Sequence, residues 1–73
     1  MGEKYPILSP RKVLTRLRDF GFEIKSQNGS HIKLSNDKSQ RTVIVPNHAS
    51  VPRGTLRSIL KLADITLDDF LKK

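Results

Sequence analysis

The chain reads as an α+β domain whose helices cover one face of a three-stranded antiparallel sheet. Two stretches, Val13 to Phe20 and Leu56 to Ala63, carry apolar residues at helical spacing. Between them lie segments of alternating or β-branched character, separated by short clusters of turn residues. Helices packed on one face of an antiparallel sheet are the economical way to bury both kinds of stripe. At 73 residues there is room for a single domain. It is placed at residues 9–73, with residues 1–8 as a flexible N-terminal segment that shows no periodicity.

Ser9 followed by Pro10 reads as an N-cap with proline at the first helical position. Val13, Leu14, Leu17 and Phe20 then share one stripe, and Gly21 ends the helix. Phe22 and Ile24 alternate with Glu23 and Lys25, the pattern of a half-buried strand. Asn28-Gly29 is a strong hairpin signal, with positive φ expected at both residues. The return strand, Ser30 to Leu34, puts Ile32 and Leu34 on its apolar face and His31 and Lys33 on the other. Ser35 to Ser39 forms a second turn, and the β-branched run Thr42-Val43-Ile44-Val45 is a third strand ending at Pro46. Its buried face is not set by the pattern. A second helix, from Arg53 or Gly54, carries Leu56, Ile59, Leu60 and Ala63 on one face and Arg53, Arg57 and Lys61 on its basic side. Thr66, with Asp69 three residues on, caps a short last helix holding Leu67, Phe70 and Leu71.

Composition narrows the function. Fourteen Lys and Arg stand against seven acidic residues, a formal charge of +7 that points to a polyanion such as nucleic acid. There is no cysteine, which removes disulfides and thiolate metal ligands together and favours a reducing cytoplasm. No apolar run approaches the roughly 20 residues that span a bilayer, and Met1 to Pro10 lacks the core of a signal peptide. The acidic residues are scattered and neither histidine lies near another ligand in sequence, so neither a metal site nor a cofactor is expected. There is no glycine-rich phosphate loop.

What remains is histidine beside cations. RNA carries its own nucleophile, the 2′-hydroxyl, and its cleavage needs a base, an acid and positive charge at the phosphate. Imidazole serves both proton roles because its reference pKa is about 6.5. His31 follows the turn, with Lys33 on the same face and Lys25 on the neighbouring strand. His48, after Pro46, is a turn residue, a phosphate contact or a second proton-transfer group. The three phenylalanines sit at core positions, which leaves Tyr5 as the exposed aromatic.

Gly29-Ser30-His31, then Val45-Pro46-Asn47-His48, then Pro52-Arg53-Gly54-Thr55-Leu56-Arg57-Ser58-Ile59-Leu60-Lys61 follow one another with a spacing that resembles the HicA family of bacterial toxins. Asp64 departs from the family's frequent glycine at the end of the second helix, and Asp tolerates the left-handed conformation required there. The resemblance implies a fold similar to the double-stranded RNA-binding domain and endoribonuclease action on mRNA, with His31 as the catalytic residue. It also implies a HicB-type antitoxin that covers the active surface. On the reading of the residues themselves the cleavage is metal-independent, Asn28 and Gly29 are the turn that positions His31, and Lys25, Ser30, Lys33, Arg53 and Arg57 are the expected RNA contacts. The alternative on fold and charge alone is a non-catalytic RNA-binding module.

Overall fold

The computed structural model describes residues 5–72. In chain order the elements are α1 (Pro10–Asp19), β1 (Glu23–Asn28), β2 (His31–Asn36), β3 (Arg41–Pro46), α2 (Arg53–Ala63) and α3 (Leu67–Lys72). The strands make one antiparallel sheet in the order β1-β2-β3, so the expected α+β architecture is the one observed. Of the expected N-terminal segment, residues 1–4 lie outside the described residues. Its described part is tied to the domain: Leu8 bridges to Val51, whose N–H donates to the Leu8 carbonyl at 2.7 Å. Tyr5 is partly buried against the core rather than exposed.

Helix α1 begins as its cap residues dictate, with the Lys12 amide donating to Ser9 Oγ at 3.2 Å and Pro10 in the first turn. Val13 and Leu17 are fully buried, while Leu14 and Phe20 pack at the margin of the core. The helix closes with the Phe22 amide donating to the Leu17 carbonyl and the Gly21 amide to that of Arg18, the pairing of a Schellman motif. Gly21 takes φ +94°, and a Cβ there would meet Asn36 Nδ2 at 3.2 Å. That same nitrogen donates to the Phe20 carbonyl at 2.9 Å, joining the end of α1 to the end of β2.

The first strand differs from its expected burial. Phe22 is buried but precedes β1, and β1 itself is exposed at every position, with Ile24 48% accessible. A register shift between Ile24 and Ser26 leaves Lys25 as a bulge that resets the pleat. The helices also press on β3 at the other side of the sheet, so neither closes over β1. The hairpin turn lies one residue later than expected: Asn28 pairs with His31, and Gly29-Ser30 form the loop with positive φ at Gly29 alone. Positive φ at the first central residue is the type II′ pattern. A Cβ at Gly29 would touch nothing within 4 Å, so backbone conformation rather than space asks for glycine.

On β2, Ile32 and Leu34 are buried while His31 and Lys33 are exposed, as the alternation predicts. Strand β3 buries Val43 and Val45 and turns Ile44 outward, 51% exposed. Helix α2 closes the core with Leu56, Ile59, Leu60 and Ala63. It ends at Asp64 in the left-handed region (φ 61°, ψ 42°), where the Ile65 amide donates to the Leu60 carbonyl at 3.0 Å. The Asp69 amide donates to Thr66 Oγ1 at 3.1 Å, the cap read from the sequence. Leu67 and Phe70 of α3 are buried, whereas Leu71, expected to be held inside, is 41% exposed because it falls on the outer side of this short helix.

Directions follow from two ties. Arg41, opening β3, donates to the Leu62 carbonyl near the end of α2, so α2 runs antiparallel to β3 and starts at the Pro46 end. The Leu8–Val51 bridge brings the start of α1 to that same end.

Candidate functional site

The sheet face away from the helices holds the site. Antiparallel register places Asn28 opposite His31 on one side and Pro46 on the other, then Ser26 opposite Lys33 and Lys33 opposite Ile44. Because side chains alternate along a strand, these residues share one face. Ser26, Asn28, His31, Lys33 and Ile44 line an open groove of about 430 Å³, at the small end of the range for ligand clefts. A single nucleotide step, rather than a folded ligand, matches such a shallow surface. Among the described residues no hydrogen bond or ion pair engages the side chains of His31 or Lys33. The imidazole and the ammonium are thus both free for a ligand.

The end of the sheet that carries His31 is also where both longer helices begin. Helix N-termini present unsatisfied N–H groups and the positive end of the dipole. Neither α1 nor α2 has an acidic residue in its first turn. Arg11 and Lys12 occupy the start of α1 and Arg53 the start of α2. Among the described residues both helix starts at this end are therefore positive, suited to drawing in a polyanion.

The predicted residues divide. His31, Lys33 and Asn28 come together, and Ser30 and Gly29 form the turn beside them. His48 is exposed in the loop after β3, and the loop is tied to the site because the Asn47 amide donates to the Ser30 carbonyl at 2.6 Å. Arg53 lies at the same end but on the helix side of the sheet, and Arg57 is exposed one turn further along α2. Lys25 is not brought to His31. Its Nζ lies 3.4 Å from Glu23 and 3.9 Å from Asp37, which follows β2. At a strand rise of about 3.3 Å per residue, Asp37 is roughly 20 Å along the strand from His31.

Ile44 and Ser26 belong to the groove and were not singled out from the sequence. The face of Ile44 depends on register, which the expected turn at Ser35 to Ser39 did not give: the observed four-residue turn closes on the pair Asn36–Arg41 and sets Lys33 opposite Ile44. Among the described residues no three His, Asp or Glu side chains gather as a cation cluster. None of their helices is long and apolar enough to cross a membrane.

A helix-backed three-stranded sheet with an unpaired histidine and lysine side chain on its open face defines a small basic α+β protein. The family model described as HicA toxin of bacterial toxin-antitoxin matches residues 10–65. That is more than half of the chain, and the chain belongs to the HicA toxin family. No curated protein gives a significant match over the sequence. Membership makes the chain the toxin side of a toxin–antitoxin pair and implies an antitoxin partner.

Proposed function

We propose that this toxin is an mRNA endoribonuclease of the cytoplasm in which His31 moves the proton and no metal takes part. The observation that carries the reading is the free imidazole of His31 beside the free ammonium of Lys33 in the groove of the uncovered face. In this mechanism His31 takes the proton of a 2′-hydroxyl, whose oxygen attacks the adjacent phosphorus. The P–O5′ bond breaks, and the leaving oxygen receives a proton from a second group; His48 is the candidate, because the Asn47 amide beside it ties its loop to the Ser30 carbonyl. Lys33 offsets the charge that builds on the non-bridging oxygens. Asn28 and Ser26 hold the backbone strand and Ile44 supplies an apolar seat for a base. Arg53, Arg57 and Lys25 act at longer range, through counterion release and steering. A HicB-type antitoxin holds the toxin inactive.

The test is RNA integrity after induced expression of the wild type and of His31→Ala, with the circular dichroism of both purified proteins compared. The wild type should fragment message and leave 2′,3′-cyclic phosphate ends at a rate indifferent to EDTA, and the variant should be folded and inert. Undiminished cleavage by His31→Ala removes His31 from the role, and loss of activity in EDTA overturns the metal-free route. A non-catalytic RNA-binding module would instead shield RNA from added nuclease and be indifferent to the substitution.

A further inference from the structure

Strand β1 is the one element of the sheet left uncovered on both faces. Among the described residues its outer edge is unpaired, because the sheet order is β1-β2-β3 and β1 pairs with β2 alone. Such an edge carries a row of unsatisfied backbone N–H and C=O groups, a template for another strand. On the helix side a second groove, about 400 Å³, runs between α1 and β1, lined by Arg11, Leu14, Thr15, Arg18, Ile24 and Asn47. Its floor is partly apolar, with Leu14 half-buried and Ile24 48% exposed. Its two ends are cationic, and among the described residues the side chains of Arg11 and Arg18 have no hydrogen-bond or ion-pair partner. Arg11 also stands in the first turn of α1, where a cation opposes the helix dipole. That placement works against the stability of the free helix and is relieved by an incoming anion.

We propose that β1 and the basic groove beside it form the docking edge for an extended acidic segment of the antitoxin, which adds to the sheet as a fourth strand. The proposal rests on the family's implication of an antitoxin partner. Backbone pairing along β1 supplies affinity and the groove supplies selectivity, the division of labour in strand addition. Arg11 and Arg18 are seven residues apart on one helix, about 10 Å at 1.5 Å per residue. Acidic side chains two or four positions apart on one face of a strand, about 7 or 13 Å, bracket that spacing. A second copy of this chain is disfavoured as occupant because each copy carries +7 and would bring arginines to arginines. Nucleic acid would meet the arginines but would leave the strand's backbone groups and the apolar floor unmatched.

The same geometry gives the docked strand a second effect. Alternate side chains of an added strand point to opposite faces. One set enters the groove over Ile24, and the other stands beside Ser26 and Asn28, which line the His31 groove. Seating of the acidic segment and closure of the catalytic face are then a single event.

The test uses the full chain, separated from its co-expressed antitoxin in denaturant and refolded, with the purified antitoxin as probe. Amide hydrogen exchange of residues 23–28 should slow by about tenfold or more on complex formation. The double variant Arg11→Glu/Arg18→Glu should bind about tenfold more weakly, and Lys61→Glu on α2 should bind as the wild type does. Glutamate favours the first turn of α1 at position 11 and opposes the dipole in the last turn at position 18. The thermal midpoint of the double variant is therefore measured beside its binding, and the single variant Arg11→Glu, which favours the helix, should also bind more weakly. A complex that forms with exchange in 23–28 unchanged overturns the proposal. So does absence of a complex, slowing that depends on the toxin's own concentration without antitoxin, or slowing produced by an RNA oligonucleotide and not by antitoxin. Protection of 23–28 by a chain that fails to cleave RNA would uphold the docking edge and overturn the endoribonuclease reading, and the converse result would separate them the other way.

Discussion

Where β2 turns into β3, polar groups find partners within the chain: Asn36 donates to Phe20, Arg41 to Leu62 with Asp64 alongside, and Lys25 lies between Glu23 and Asp37. At the opposite end the side chains of His31, Lys33, Arg11 and Arg53 have no such partner among the described residues. Both ends belong to one short sheet and draw on the same basic composition. A cation that the fold has already neutralised serves the fold, and one left open is available to a ligand. Net charge alone does not make this distinction, since Lys25 and Lys33 count equally in it.

The contrast breaks if substitutions at the two ends produce the same kind of effect. The largest expected effect is at the open end: His31→Ala should reduce cleavage of an RNA oligonucleotide by about a thousandfold, the scale of a lost proton-transfer group, with its thermal midpoint unchanged because the side chain is exposed. Lys33→Ala should cost about tenfold to a hundredfold in the same assay, again without loss of stability, and should flatten the salt dependence of binding. At the closed end the readout reverses. Asn36→Ala removes the Nδ2 bond to Phe20 and the acceptor for the Lys38 and Ser39 amides, so urea unfolding should show a loss of about 2 kcal/mol while the folded fraction cleaves at the normal rate. Smallest of all, Asp64→Gly gives up an exposed ion pair of 3.9 Å and relieves a left-handed residue, for a net gain of about 0.5 kcal/mol.

Much of this was legible before any coordinates. Helix positions, their caps at Ser9 and Thr66 and the outward face of His31 and Lys33 follow from local rules, and each was realised. What local rules missed came from elsewhere in the chain. Ile24 keeps the alternation with Phe22 on the helix side, opposite Leu34, but stays half exposed because the helices press on β3, and the bulge at Lys25 resets the pleat only beyond it. Lys25 itself was drawn away by Asp37, twelve residues on, in a contact invisible to spacing. Ile44 was undecided because all four residues of Thr42 to Val45 are β-branched, and only cross-strand register tells one face from the other.

The close approach of Asn36 to Gly21 reaches beyond this one chain. The amide can span to the Phe20 carbonyl only while position 21 lacks a side chain, since a Cβ there would crowd Nδ2 at 3.2 Å. The two positions therefore form one unit of inheritance: relatives that replace the glycine should also have given up the asparagine, and would need another way to tether the first helix to the sheet.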